Sequence, residues 1–120
     1  MEGSVSATIR DHIGFVEFFH PQSNSLPGAL LRQLAGEIEV LGNNPEVRVI
    51  VLQSAGEKAF CAGASFDELV SISNLEEGKR FFSGFAAVIN AMRKAPKFVI
   101  ARVQGKAVGG GVGLASAADY

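Results

Sequence analysis

The sequence predicts an α/β chain in which a largely parallel sheet is covered by helices, and three observations carry that prediction. Two runs of β-branched apolar residues, Val47–Gln53 (VRVIVLQ) and Lys97–Val103 (KFVIARV), read as strands covered on both faces. Segments with helical spacing lie between and after them, the alternation that builds parallel sheets. Each run also opens into a loop rich in glycine and alanine.

The elements follow in the order β-β-α-β-α-α-β-α. Val5, Ala7 and Ile9 alternate with Ser4, Ser6, Thr8 and Arg10, the period of a half-buried strand. Asp11-His12 suits a tight turn, with Ile13–Phe19 pairing back as a hairpin. His20-Pro21-Gln22-Ser23-Asn24-Ser25 breaks regular structure. From Leu26 to Leu41, the residues Leu30, Leu34, Ile38 and Leu41 recur at helical spacing, and Gly42-Asn43-Asn44-Pro45 is a stop signal. After the first buried strand and its loop, a short helix is expected around Phe66–Ser71. Ser73 and Glu76 have capping-box spacing for a helix to about Lys94, with Phe82, Phe85, Ile89 and Met92 as its buried stripe. Ala95-Pro96 ends it. Beyond the second buried strand, Gly109–Asp119 reads as a glycine-led, alanine-rich helix.

Composition limits the function. The chain has 120 residues, 48% of them hydrophobic, and a net charge of −1 from 11 basic and 12 acidic groups. One core domain over residues 1–120 is affordable at this length, and two are not. The balanced charge argues against nucleic acid as the main partner. No apolar run approaches the ~18 residues of a membrane span, so no membrane partner is expected. Met1-Glu2-Gly3-Ser4 lacks the basic and apolar character of a signal peptide, and the single Cys61 suits a reducing compartment. The expectation is a soluble, cytoplasmic chain.

Five of the fourteen glycines fall between Gly105 and Gly113, in the loop after the second buried strand. The loop after the first contains Gly56, Lys58, Ala59, Phe60, Cys61, Ala62, Gly63, Ala64 and Ser65. Small residues let a ligand approach the backbone. Both loops lead into helix N-termini, where free N–H groups favour negative charge. Side by side, they can aim two amides at one oxygen, as an oxyanion hole does. Gly109-x-Gly111 is followed three positions later by Leu114, so the dinucleotide fingerprint is missing, and no P-loop spacing occurs. A glycine-rich turn packed closely against a helix is the plainer alternative for Gly109–Gly113.

At these residues the sequence resembles the crotonase superfamily, the enoyl-CoA hydratase/isomerase family, from about Val5 to Asp119. His20-Pro21-Gln22-Ser23-Asn24-Ser25-Leu26 is similar to the family's P-x-x-x-N-A-L stretch. Lys58-Ala59-Phe60-Cys61-Ala62-Gly63-Ala64-Ser65-Phe66 is similar to K-A-F-x-A-G-A-D-[IL]. Pro96–Gly105, the three consecutive glycines and Asp119 complete it. The resemblance implies the N-terminal portion of the ββα superhelical (spiral) crotonase core, lacking the family's C-terminal part. It implies an acyl-CoA thioester as substrate and no separate cofactor or metal. Its reacting carbonyl would be held as an enolate by the amides of Ala64 and Gly110. Ala62, Ser65 and Phe66 would line the CoA site, with Ser25 and Leu26 along its path and Lys58 near its phosphates. Assembly as a homotrimer or homohexamer and a place in fatty acid metabolism are implied as well.

One position departs from the pattern. Family hydratases carry Glu two residues after the third glycine, and here that residue is Gly113, which cannot move a proton. The second family carboxylate would lie beyond Tyr120. Asp67 and Glu68 read as helix-start acids, Asp119 as structural, His12 and His20 as turn residues, and Cys61 as a buried thiol. The expectation is therefore isomerase-like or other single-base chemistry rather than two-carboxylate hydration. A non-catalytic acyl-CoA-binding protein or an inactive fragment is the alternative.

Overall fold

The computed structural model of the chain describes residues 3–120; Met1 and Glu2, part of the N-terminal reading, lie outside them. Its elements are β1 (Ser4–Arg10), β2 (Ile13–Phe19), α1 (Gly28–Asn43), β3 (Val49–Ser54) and β4 (Ala59–Cys61). They continue as α2 (Phe66–Val70), α3 (Leu75–Lys94), β5 (Phe98–Ala101), β6 (Lys106–Ala107) and α4 (Gly110–Ala117). The expected order holds, with two short strands added inside the glycine-rich loops.

The main sheet has the order β1-β2-β3-β5. β1 and β2 form an antiparallel hairpin, whose turn residues Asp11 and His12 both have positive φ (54° and 67°). That backbone matches the twist of a two-residue hairpin. β2–β3 and β3–β5 are parallel. Val16, Phe18, Ile50, Leu52 and Val99 point from this sheet into the core, against Leu30, Leu34, Ile38 and Leu41 of α1. The helical stripe expected for α1 is buried at all four positions. The helix begins at Gly28 because Leu26, two residues earlier, is held extended in a parallel bridge with Ala64.

Three expectations need correction. β3 alternates between buried and half-buried residues, so Ile50 and Leu52 face the core while Val49 and Val51 do not. In β1, Val5 and Ala7 pack on the core, but Ile9 is exposed; its cross-strand partner is Gly14, which offers no side chain to pack against. In α3, the N-cap is Asn74, whose side chain accepts from the Glu77 N–H at 2.8 Å, rather than Ser73 with Glu76. The Glu77 carboxylate reaches back to the Ser73 N–H and hydroxyl at 2.9 and 3.0 Å. The buried stripe is Phe81, Gly84, Val88, Ala91 and Met92, with Phe85 and Ile89 partly buried. Phe82 lies outside the stripe and is 70% exposed, its ring edge-on to Phe81.

Candidate active site

The two glycine-rich loops leave the C-terminal ends of β3 and β5, which are parallel neighbours, and so emerge side by side. Their short strands β4 and β6 then pair in parallel, Ala59 with Lys106 and Cys61 with Ala107. The Val108 N–H extends the contact by donating to the Cys61 carbonyl at 3.0 Å. Strands of three and two residues carry no readable periodicity, which is why the sequence presents them as loops.

Glycines permit this approach. A Cβ on Gly105 would stand 2.9 Å from the Lys58 carbonyl oxygen, and one on Gly63 would stand 3.0 Å from that of Val108. A Cβ on Gly111 would collide with the Cys61 carbonyl oxygen. Gly63 and Gly109 also have positive φ (96° and 56°), a conformation that side chains oppose. The same added Cβ on Gly63 would lie 3.5 Å from the Gly110 nitrogen, so the backbone beside Ala64 and the start of α4 are in contact.

Ala64 is exposed and Gly110 half-buried. Among the described residues, neither amide donates a hydrogen bond to a backbone or side-chain acceptor. Gly110 is the first residue of α4, where such N–H groups are free by construction. Leu26 is fully buried, and its N–H donates to the Gly63 carbonyl at 2.8 Å, which fastens the His20–Leu26 segment to the first loop. Ser25 is buried beside it, and its hydroxyl has no partner among the described residues. Ala62 is half-buried. Ser65 is buried and caps α2, its hydroxyl accepting from the Glu68 N–H at 3.2 Å. Phe66 is 70% exposed. Lys58 opens onto a cleft of about 490 Å³ shared with His20, Asn24 and Ala55.

Five titratable groups of the chain are engaged in other contacts. Glu68 accepts from the Gly28 N–H at 2.9 Å, and Asp67 accepts from the Gln22 amide at 3.4 Å. Asp119 accepts from the Val99 N–H at 2.8 Å, a backbone tie. His12 contacts the Glu46 carbonyl, and His20 accepts from the Gln22 N–H. Burial pushes the Cys61 thiol up to about 11, which leaves it protonated and unreactive at neutral pH. A Cβ at Gly113 would stand 3.3 Å from Ile89 Cδ1, so that face of α4 meets an apolar side chain of α3. No cluster of three metal-ligating side chains occurs among the described residues, and no helix there is long and apolar enough to cross a membrane.

Two residues to which the sequence reading assigned no role hold the loops. Asn24, buried and at φ 59°, donates to the Ala55 and Ala59 carbonyls at 2.8 and 2.9 Å and accepts from the His20 N–H. Gln104 places its amide nitrogen 3.0–3.2 Å from the Ser54 hydroxyl and the Gly56 and Ala59 carbonyls. Both lie in stretches that carry the family resemblance, Asn24 in His20–Leu26 and Gln104 in Pro96–Gly105, but nothing local there points to their partners.

Comparison with known proteins agrees with this architecture. Residues 8–120 match the family model described as enoyl-CoA hydratase/isomerase. The chain is 34% identical over 123 residues to the candidate enoyl-CoA hydratase/isomerase YngF of Bacillus subtilis, covering 99% of this chain and 46% of that protein. It is 38% identical over 96 residues to the mitochondrial methylglutaconyl-CoA hydratase of Homo sapiens, covering 80% and 28% respectively. The crystal structure of an enoyl-CoA hydratase from Bacillus anthracis superposes with a TM-score of 0.90 at 33% identity, covering 97% of this chain and 45% of that one. The chain thus spans about half the length, or less, of these relatives. With the fold and the family model in agreement over nearly all of it, the chain belongs to the enoyl-CoA hydratase/isomerase family and has the mixed α/β architecture of the crotonase fold.

Proposed function

We propose that this chain binds an acyl-CoA thioester and stabilises its enolate through the amides of Ala64 and Gly110. The observation that carries the reading is the contact between the two loops, with both amides lacking an acceptor among the described residues. Two fixed N–H donors aimed at one carbonyl oxygen favour the state in which that oxygen carries charge, and thereby acidify the adjacent C–H. Only peptide N–H groups are needed, which suits Ala and Gly. CoA would run past Ser25 and Leu26 towards Ala62, Ser65 and Phe66, with Lys58 near its phosphates and no further cofactor.

Gly113 supports single-base, isomerase-like chemistry over hydration, since it carries no proton and adjoins Ile89. None of the groups named above is assigned as the base: Glu68, Asp119, His12 and His20 are engaged with backbone, and Asp67 with the Gln22 side chain. The working assembly is a homotrimer or homohexamer, as family resemblance implies. Calorimetry with acetoacetyl-CoA tests the reading: saturable binding is expected, and none by the folded chain would contradict it. Crotonyl-CoA hydration and 3-enoyl-CoA isomerisation, assayed in parallel, decide the chemistry. Robust hydration would overturn the inference from Gly113.

A further inference from the structure

The two amides belong to different loops, so their spacing depends on what locks one loop to the other. At the glycine face the side-chain-free backbones touch, with the Val108 N–H on the Cys61 carbonyl as the hydrogen bond there. At the base of the loops a polar node does the locking. The Ala59 carbonyl, at the start of β4, is approached by Asn24 Nδ2 at 2.9 Å, Gln104 Nε2 at 3.2 Å and the Ser54 hydroxyl at 3.4 Å. Asn24 and Ser54 both precede the first loop's turn. Gln104 alone comes from the second loop, and it also reaches the Gly56 carbonyl at 3.1 Å. From this node one path runs through β4 and Gly63 to Ala64, and the other through Gly105 and β6 to Gly110. The β4–β6 ladder between them has only two registered pairs, with an irregularity between Ala59 and Cys61. So short a ladder does not define its own register strongly.

We infer that Gln104 is a positioning residue: its side-chain amide, bonded across the loop base, sets the separation of the Ala64 and Gly110 amides. The inference rests on the oxyanion reading above for its catalytic meaning, but not for its mechanical content. Gln104→Leu removes the donors while keeping the volume close. Gln104→Glu keeps the reach and presents oxygens to the two carbonyls in place of N–H groups, and serves if the Leu variant does not fold.

Two readouts apply to each variant. The first is amide hydrogen exchange at Val108, whose N–H bridges the loops, against Leu52 in the core. Val108 exchange should rise roughly tenfold with Leu52 unchanged, because the opening is local. The second compares a CoA thioether, which has no carbonyl, with the matching thioester. Thioether affinity should hold within about twofold while thioester affinity falls roughly tenfold, the signature of misplaced donors. Unchanged Val108 exchange in a folded variant overturns the inference. So does equal loss of thioether and thioester binding, which marks a merely structural role. If the unaltered chain binds no thioester, the functional reading fails, and Val108 exchange alone then decides the positioning claim.

Discussion

The two loops that meet at the site are held by opposite means. The first, from Ser54 to Ser65, is held by groups that are present: Asn24 on two carbonyls, Ser65 on α2, and Leu26 on Gly63. The second, from Gln104 to Gly111, is held after its first residue by its backbone, through the β4–β6 pairing and the Val108 N–H on the Cys61 carbonyl, and by glycines that let it come close. Gly105 and Gly111 each lie where a Cβ would strike the backbone of the first loop, and Gly109 has positive φ. The first loop carries side chains over most of its length, Gly56 and Gly63 excepted, and leads into the exposed Phe66 and Asp67 of α2. The second loop, beyond Gln104, carries side chains only at Lys106, Ala107 and Val108 and has no room for one at Gly105 or Gly111. The comparison teaches that a bulk change should damage one loop and a polar truncation the other.

The largest effect is expected from Gly111→Ala. Its Cβ would meet the Cys61 carbonyl oxygen, a backbone atom that cannot step aside, so a loss of about 3 kcal/mol is expected in denaturant unfolding. A loss under about 0.5 kcal/mol would mean the loops are not pressed together. The reciprocal change, Asn24→Ala, removes the side-chain partner of the Ala55 carbonyl and of the His20 N–H, takes one donor from the Ala59 carbonyl and places Ala at positive φ; about 2 kcal/mol should go. Asn24→Gly relieves the backbone part and should recover some of it.

Cys61 joins the two loops through its carbonyl, and its thiol answers to pH. Its folded value, about 11, lies above the ordinary 9.0, so folding favours the neutral thiol. The stability it contributes is complete below pH 9.0 and is lost as pH rises towards about 11, on the order of 2 kcal/mol in all. Unfolding curves of the parent and Cys61→Ala across that window should converge with rising pH; parallel curves would contradict the burial argument. Ser65→Ala removes the cap of a five-residue helix and should cost about 1 kcal/mol. The smallest effect belongs to Glu77, in the first turn of α3. Hydrogen bonds from Ser73 hold its carboxyl below the usual range. Its contribution is therefore present at neutral pH and fades as pH falls through that lowered value, readable as a slight fraying of α3 by NMR.

This contrast also explains what was legible beforehand. Bulk apolar patterning made α1, β3 and β5 readable, because Leu30, Leu34, Ile38 and Leu41 fall on one helical face and VIVL and FVIA are short continuous runs. Gly105 to Gly113 marked the loop where side chains are excluded. Asn24 and Gln104 lay in family-like stretches but showed no role there, since their importance lies in loop partners 31 to 50 residues away, which no local pattern encodes. The shift from Ser73 to Asn74 as cap is of the same kind: both can cap, and the packing of Phe81 and Gly84 against α1 decides the phase. Adjacent aromatic residues Phe81 and Phe82 made that phase ambiguous in the text.

The central claim is that the Ala64 and Gly110 amides share one thioester oxygen. Infrared difference spectroscopy on a thioester labelled with ¹³C at its carbonyl, bound to the folded chain, tests it most directly. The carbonyl stretch should move to lower frequency than in water, and Gly110→Pro, which deletes one N–H, should return much of that shift. A bound thioester whose carbonyl absorbs as it does in water would contradict the account.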